Sequence, residues 1–405
     1  PLFRRLLATL NKQGGLGPGP LLQLLLQRGV CAHPADWLPS PQEEGLPKIY
    51  WPWSRWVVHQ QALGDERDES LNAENWDEFY PAERLMQLRE MRLTDPDGAR
   101  ALIENCADRE PADKRLRIIE VLGSNLSEAD GEYLLSLINN RSQKISRLAC
   151  QFLARLGIAV SGENEEQDRS IAQELAAGYE VKQTGLLRRR TQIVPRSLKS
   201  KKQQAIRSEL LQKVLFQALA GALQIEESAL AAGWQFCANR DGDNHAFVLN
   251  ALYTLPENLL ETLLENALSQ IDSSDQMLSL IQLFIPRLDR ASSSRLMYRL
   301  LARKGIGFSF TECLAYSDQP LSELDWVELT KTSAWQQLLS LIKEHQTEEN
   351  LYVEHNQLVG ELTALGLVLP QMLAQKALGA LTEKGVMQAE PALEALKLNA
   401  QLSPQ

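Results

Sequence analysis

The stretch Gln143-Lys144-Ile145-Ser146-Arg147-Leu148-Ala149-Cys150-Gln151-Phe152-Leu153-Ala154-Arg155-Leu156-Gly157 decides the fold class. Its apolar residues Ile145, Leu148, Ala149, Phe152, Leu153 and Leu156 fall at i, i+3, i+4, i+7, i+8 and i+11. That spacing is the stripe of a helix that is apolar on one side only. Gly157 stands where a helix end wants left-handed backbone, which glycine adopts without strain. A one-sided helix must bury its stripe on a neighbour, and the flanking segments offer matching stripes.

Upstream, the periodicity predicts helices over 82–91, 96–107, 112–123 and 127–138. Asp95-Pro96 reads as an N-cap followed by Pro at the first helical position, and Ser127 through Asp130 as a capping box. Connections this short make successive helices antiparallel neighbours. Helical hairpins that contact mainly the next hairpin form an α-solenoid. Downstream, Ser294-Arg295-Leu296 through Ile306 repeats Ser146-Arg147-Leu148 through Ile158, with eight of thirteen positions identical. Further helices are expected over 244–253, 256–268, 332–347, 349–366 and 370–383. No alternating run of β-branched residues announces a sheet. The expected fold is therefore all-α.

Composition limits the function classes. The 405 residues carry 42 Lys+Arg against 52 Asp+Glu, a net charge of −10, and 44% are hydrophobic. This excludes a disordered chain, and the acidity argues against a dedicated nucleic-acid binder. No apolar run is long enough to span a membrane. The five cysteines are scattered without a CxxC pair, which speaks against a zinc ribbon and fits a reducing cytoplasm. The start, Pro1-Leu2-Phe3-Arg4-Arg5-Leu6-Leu7, is too short for a complete secretory signal. A trimmed targeting segment before Pro1 stays open.

Two segments break the helical grammar. Residues 31–60 hold Pro34, Pro39, Pro41, Pro47 and Pro52 and should be irregular. Their aromatics, Trp37, Tyr50, Trp51, Trp53 and Trp56, either glue this loop onto the first helices or present a partner-binding face. Residues 182–207 hold Lys182, Arg188, Arg189, Arg190, Arg196, Lys199, Lys201, Lys202 and Arg207 without one acid. With Gly185 and Pro195, this reads as a basic loop or linker that grips an acidic protein face, pairs within the chain or, less well, meets nucleic acid. The expected organisation is 1–80, N-terminal helices with the Pro/Trp segment; 81–181, helical repeats; 182–207, basic loop; and 208–405, a second helical array. An acidic stretch at 65–78 reads as a solvated linker.

Catalytic and metal signatures are missing. Asp241-Gly242-Asp243-Asn244-His245 departs from a calcium loop and reads as a polar turn before a helix. The histidines form no HExxH, and no nucleophile elbow or phosphate loop occurs. Arg147 and Arg155, on the polar side of the first helix quoted, offer a second, shallower basic groove. No cofactor is expected. An enzyme whose residues converge only in the folded chain stays open.

Asn139-Asn140-Arg141-Ser142-Gln143-Lys144-Ile145-Ser146-Arg147-Leu148-Ala149 resembles the entry to the second helix of a HEAT repeat, with Asn140 in place of the usual Asp. The run Arg84…Asp95-Pro96-Asp97…Arg115…Leu126-Ser127…Asp130…Arg141-Ser142 resembles an uncharacterised bacterial family of helical-repeat proteins of similar length. His33-Pro34-Ala35-Asp36-Trp37 extends the likeness. Members are encoded beside SWIM zinc-finger proteins, MoxR-type AAA+ ATPases and von Willebrand factor A-domain proteins. The family has no established catalytic residues. The resemblance implies a cytoplasmic, non-enzymatic scaffold whose partners are proteins, with an AAA+ ATPase or a von Willebrand A-domain protein foremost.

Overall fold

The computed structural model describes residues 2–12, 17–40, 47–50, 52–53, 56–57, 70–160, 163–184, 190–236, 241–305, 307–316, 321, 325–347, 352–386 and 391–402. These residues are mostly helical and divide into two compact units. One joins the chain's two ends, Pro1–Arg67 and Leu288–Gln405, and the other is Asp68–Arg287. The division does not fall in 182–207, which lies inside the second unit.

In the second unit the helices follow the stripes. They are α3 (Pro81–Thr94), α4 (Pro96–Cys106), α5 (Ala112–Glu120), α6 (Gly131–Leu137) and α7 (Gln143–Arg155). α7 packs on α5 and α6, and its stripe of Ile145, Leu148, Ala149, Phe152 and Leu153 is buried. Gly157 has φ +73°, and the Ile158 amide returns to the Leu153 carbonyl, which closes the helix end.

The first turn beyond α5 is held by a charge. Arg92 and Asp130 are fully buried and pair at 2.8 Å. Arg92 also donates to the carbonyls of Ser124, Pro96, Leu122 and Asn125. Asn125 sits at φ +55° and returns a side-chain bond to the Arg92 carbonyl. One guanidinium thus satisfies backbone carbonyls that would otherwise be stranded in the interior. Asp130 accepts from the Ser127 amide at 2.9 Å, as its capping-box pattern predicts.

The unit continues through α8 (Glu163–Ala177), a hairpin of β1 (Tyr179–Thr184) and β2 (Arg190–Pro195), then α9 (Lys201–Lys213), α10 (Phe216–Ala222), α11 (Glu227–Gly233), α12 (Asp241–Thr254), α13 (Glu257–Gln270) and α14 (Ser274–Phe284). The described residues are mostly helical, as the stripes predict, and one two-stranded hairpin is set among the helices, so that 182–207 holds the end of β1, β2 and the start of α9. α12 packs on α7, α9 and α14, so contacts here reach well beyond the next helix in sequence.

The other unit holds α1 (Leu2–Lys12), α2 (Gly19–Gln27), α15 (Arg290–Ala302), α16 (Phe310–Tyr316), α17 (Trp326–Lys331), α18 (Ser333–Thr347), α19 (Tyr352–Val368), α20 (Gln371–Glu383) and α21 (Glu394–Gln401). α15 carries the sequence echo, and like α7 it is followed by a glycine of positive φ, Gly305 at +85°. α1 packs on α21 and α2 on α19, a closure of chain ends that a strictly nearest-neighbour array lacks. Arg5 pairs with Glu394 at 2.8 Å, and Arg28 donates to Asn399 at 2.7 Å. Buried Asn399 caps α19 by donating to the Gly366 and Leu369 carbonyls. Gly366 is required there, because a Cβ would lie 2.4 Å from the Leu396 nitrogen. Glu361 caps α16 by accepting from the Phe310 and Thr311 amides.

No helix among the described residues is long and apolar enough to cross a membrane.

Candidate functional site: a basic hairpin surface

The hairpin alternates as a half-buried sheet must. Tyr179 and Ile193 are buried on its inner face, whereas Glu180, Lys182 and Arg190 are exposed on the other. Tyr179 pairs in register with Pro195, Val181 with Ile193 and Thr184 with Arg190. β2 is flanked on its far side by a parallel bridge between Ile193 and Trp234 and by the Gln235 amide, 3.3 Å from the Ile193 carbonyl. This close seat needs Gly233, where a Cβ would stand 2.5 Å from the Thr191 carbonyl oxygen. Beneath lies an aromatic floor in which Tyr179 meets Trp234 at 5.2 Å and Trp234 stacks on Phe247 at 3.7 Å.

Arg207 anchors the segment from below. It is buried, pairs with buried Asp243, donates to the Arg196 carbonyl at 3.1 Å and lies over the Tyr179 ring. Ser208 donates to the other Asp243 oxygen at 2.6 Å. This base of the run is therefore structural. Asp243 sits in the first turn of α12 as its counter-ion, where a polar turn was expected.

The remaining described bases face outward: Lys182, Arg190, Arg196, Lys199, Lys201 and Lys202 are all exposed. Lys182 has Glu180 3.3 Å away, an exposed pair of little energetic weight. Lys201 and Lys202 open α9 behind its N-cap Ser200, and the first turn has no acid. Positive side chains there add to the partial positive charge of the helix end. Leu198 and Ile206 are exposed within the same stretch, at 37% and 43%. Arg188 and Arg189 lie outside the described residues.

The aromatic segment divides. Tyr50 is buried, accepts from the Ala32 amide at 2.8 Å, and has Trp37 and Trp53 edge-on at 5.3 Å each. These rings glue the segment to Leu22 and Phe3 of the first helices. Trp56 is 54% exposed, and Trp51 lies outside the described residues.

The shallower groove expected from Arg147 and Arg155 is spoken for. Arg147 pairs with Asp168 at 2.6 Å, and Arg155 shares Glu257 with Arg287 at 3.2 Å each. Burial pushes the Arg287 guanidinium down to about 10, and neighbouring Arg155 adds to the shift.

A cavity of about 530 Å³ lies between α7, α8 and α10, lined by Cys150, Asp168, Ala172, Leu215, Ala218 and Gly221. Burial pushes the Asp168 carboxyl up against the opposing pull of Arg147, and pushes the Cys150 thiol up as well. A thiol held protonated is a poor nucleophile. No group of three or more His, Cys, Asp or Glu side chains among the described residues is placed to hold a metal ion.

Sequence reasoning missed Arg92, Asp243 and the hairpin. A signal for Arg92 existed, since Arg84 and Arg92 lie on the same face of α3 as buried Leu88. A base on a core-facing stripe announces a buried partner.

A model of a family of unknown function (DUF5691) matches residues 2–160 of this chain. No curated protein and no solved structure matches it.

Proposed function

We propose that this chain is a non-enzymatic helical scaffold whose exposed basic segment, around the hairpin and the start of α9, binds an acidic protein partner. One observation carries the reading: six described bases between 182 and 202 face outward on a chain of net charge −10. On an acidic protein the net charge repels like copies at long range, whereas a local positive field attracts an oppositely charged surface. The likeness over 2–160 to a family of unknown function agrees with the family resemblance read from Asp95-Pro96 and Ser127–Asp130. On that resemblance the partner is a MoxR-type AAA+ ATPase or a von Willebrand A-domain protein, the helices are HEAT-like repeats, and the setting is the bacterial cytoplasm. The packing of α7 on both α5 and α6 supports the repeat reading. Exposed Trp56 is a second contact in the same proposal.

Nucleic-acid binding is the second reading and rests on the same bases. It ranks lower because Arg147 and Arg155, which would extend the positive surface along α7, are neutralised by carboxylates.

The tagged full chain, purified from native lysate, is expected to bring down an AAA+ or von Willebrand A-domain protein that dissociates at high salt. Recovery as a lone monomer contradicts the proposal. Retardation of duplex DNA with a steep salt dependence favours the second reading instead.

A further inference from the structure

We infer that the outer edge of β1 is a docking strip, which takes an extended acidic segment of the partner as a third strand of the hairpin. This rests on the reading above that the basic segment meets an acidic protein.

The edge is open. Among the described residues β1 pairs with β2 on one side only; α8, the helix that leads into it, packs on it, and its Tyr179 side chain meets Trp234 and Arg207 on the inner face. No backbone group of residues 180–184 bonds a described residue outside the hairpin. The opposite edge, that of β2, is occupied by Trp234 and Gln235. A strand edge is a row of donors and acceptors ready for another chain. Extended peptides recognise such edges by main-chain bonds, with side chains supplying specificity.

The charges bracket this edge. Arg190 is in register with Thr184, the last residue of β1. At the other end, the Arg196 amide bonds the Gly178 carbonyl at 2.9 Å, which brings Arg196 to the start of β1, with Lys199, Lys201 and Lys202 following it in the chain. Lys182 lies between them and is exposed. An incoming strand therefore meets Arg190 at one end, Arg196 at the other and, between them, Lys182 with Glu180 beside it, along about 20 Å of backbone.

Alternation sets its composition. Side chains on the Lys182 and Arg190 face should be acidic. Those on the opposite face continue the side of Tyr179 and half-buried Val181, and should be apolar and β-branched. Lys182 then has two uses: in the free protein it discourages pairing between copies, and in the complex it selects an acidic strand.

The test uses the full chain and a fluorescein-labelled peptide, Glu-Val-Glu-Val-Glu-Val-Glu, beside the same peptide with its three valine amides N-methylated. Both carry the same charge, but the second cannot donate along one edge. The parent peptide should bind at low salt and slow hydrogen exchange in β1. Methylation should weaken it about tenfold or more, as should the combined change Lys199→Glu, Lys201→Glu, Lys202→Glu. Equal binding of the two peptides overturns the strand pairing and leaves the acidic-partner reading standing. Binding of neither peptide overturns the inference, and the lysate purification then judges the reading by itself.

Discussion

The helices at 81–158 and the hairpin region at 178–207 share one compact unit but are built on opposite uses of charge. In the first, the decisive bases point inward: Arg92 is sealed on Asp130 and four carbonyls, and Arg84 pairs with Glu110 beneath Trp76. In the second, Arg207 is buried in this way, and the other described bases are exposed, Lys182 beside Glu180. The difference teaches where to look for function. A buried base holds the fold through the carboxylate and carbonyls around it, whereas an exposed base keeps its charge at the surface, where a partner can meet it.

Breaking the inward pattern should give the largest effect. Asp130→Ala leaves the Arg92 charge uncompensated in the interior and should cost about 3–5 kcal/mol in denaturant unfolding. Replacing both, Arg92→Met with Asp130→Leu, should cost less than the single change, because no charge is then stranded. A double variant as unstable as the single one would mean that the carbonyl bonds of Arg92 matter more than the ion pair.

The seat of the hairpin comes next. Gly233→Ala drives a methyl into the Thr191 carbonyl and should cost about 1–3 kcal/mol. The loss should appear as faster hydrogen exchange in residues 179–195, with residues 81–158 unchanged. Acceleration spread evenly over both regions would refute the local seat.

A smaller effect belongs to Asp168, whose carboxylate joins α7 to the segment after α9 by accepting from Arg147 and the Leu215 amide. Burial raises this carboxyl above its ordinary value of 3.8. The folded state therefore holds the proton more tightly than the unfolded state does. The stability linked to that proton is complete below pH 3.8 and is lost as pH rises through the folded-state value. Relative to wild type, Asp168→Asn should thus gain stability as pH climbs out of that acidic window. Urea unfolding of both proteins across the window checks the sign, and a parallel pair of curves would deny it.

The same contrast explains what the sequence discloses. The helices at 81–158 and 241–270 are legible because their stripes, caps and closing glycine act within a few residues of one another. Asp95 accepts from the Gly98 amide, and Ser127 and Asp130 form their box, as the local patterns require. The hairpin is not legible because its strands are short and mostly polar, and Trp234, which makes the inner face worth burying, lies some forty residues downstream. Arg207 reads as one more base in a basic run until Asp243 comes into contact with it. Packing of the first helices on the last ones joins stripes that no local pattern relates.

The most direct measurement compares partner retention by two charge reversals in the full-length chain. One is Lys199→Glu, Lys201→Glu, Lys202→Glu beside the hairpin; the other is Lys144→Glu, an exposed base on α7. Quantitative mass spectrometry of co-purified proteins should show the partner lost from the first chain and kept by the second, with both unfolding as wild type does. Retention by the hairpin variant, or loss from the Lys144→Glu chain alone, would contradict the assignment of the partner surface to the outward bases of 182–202.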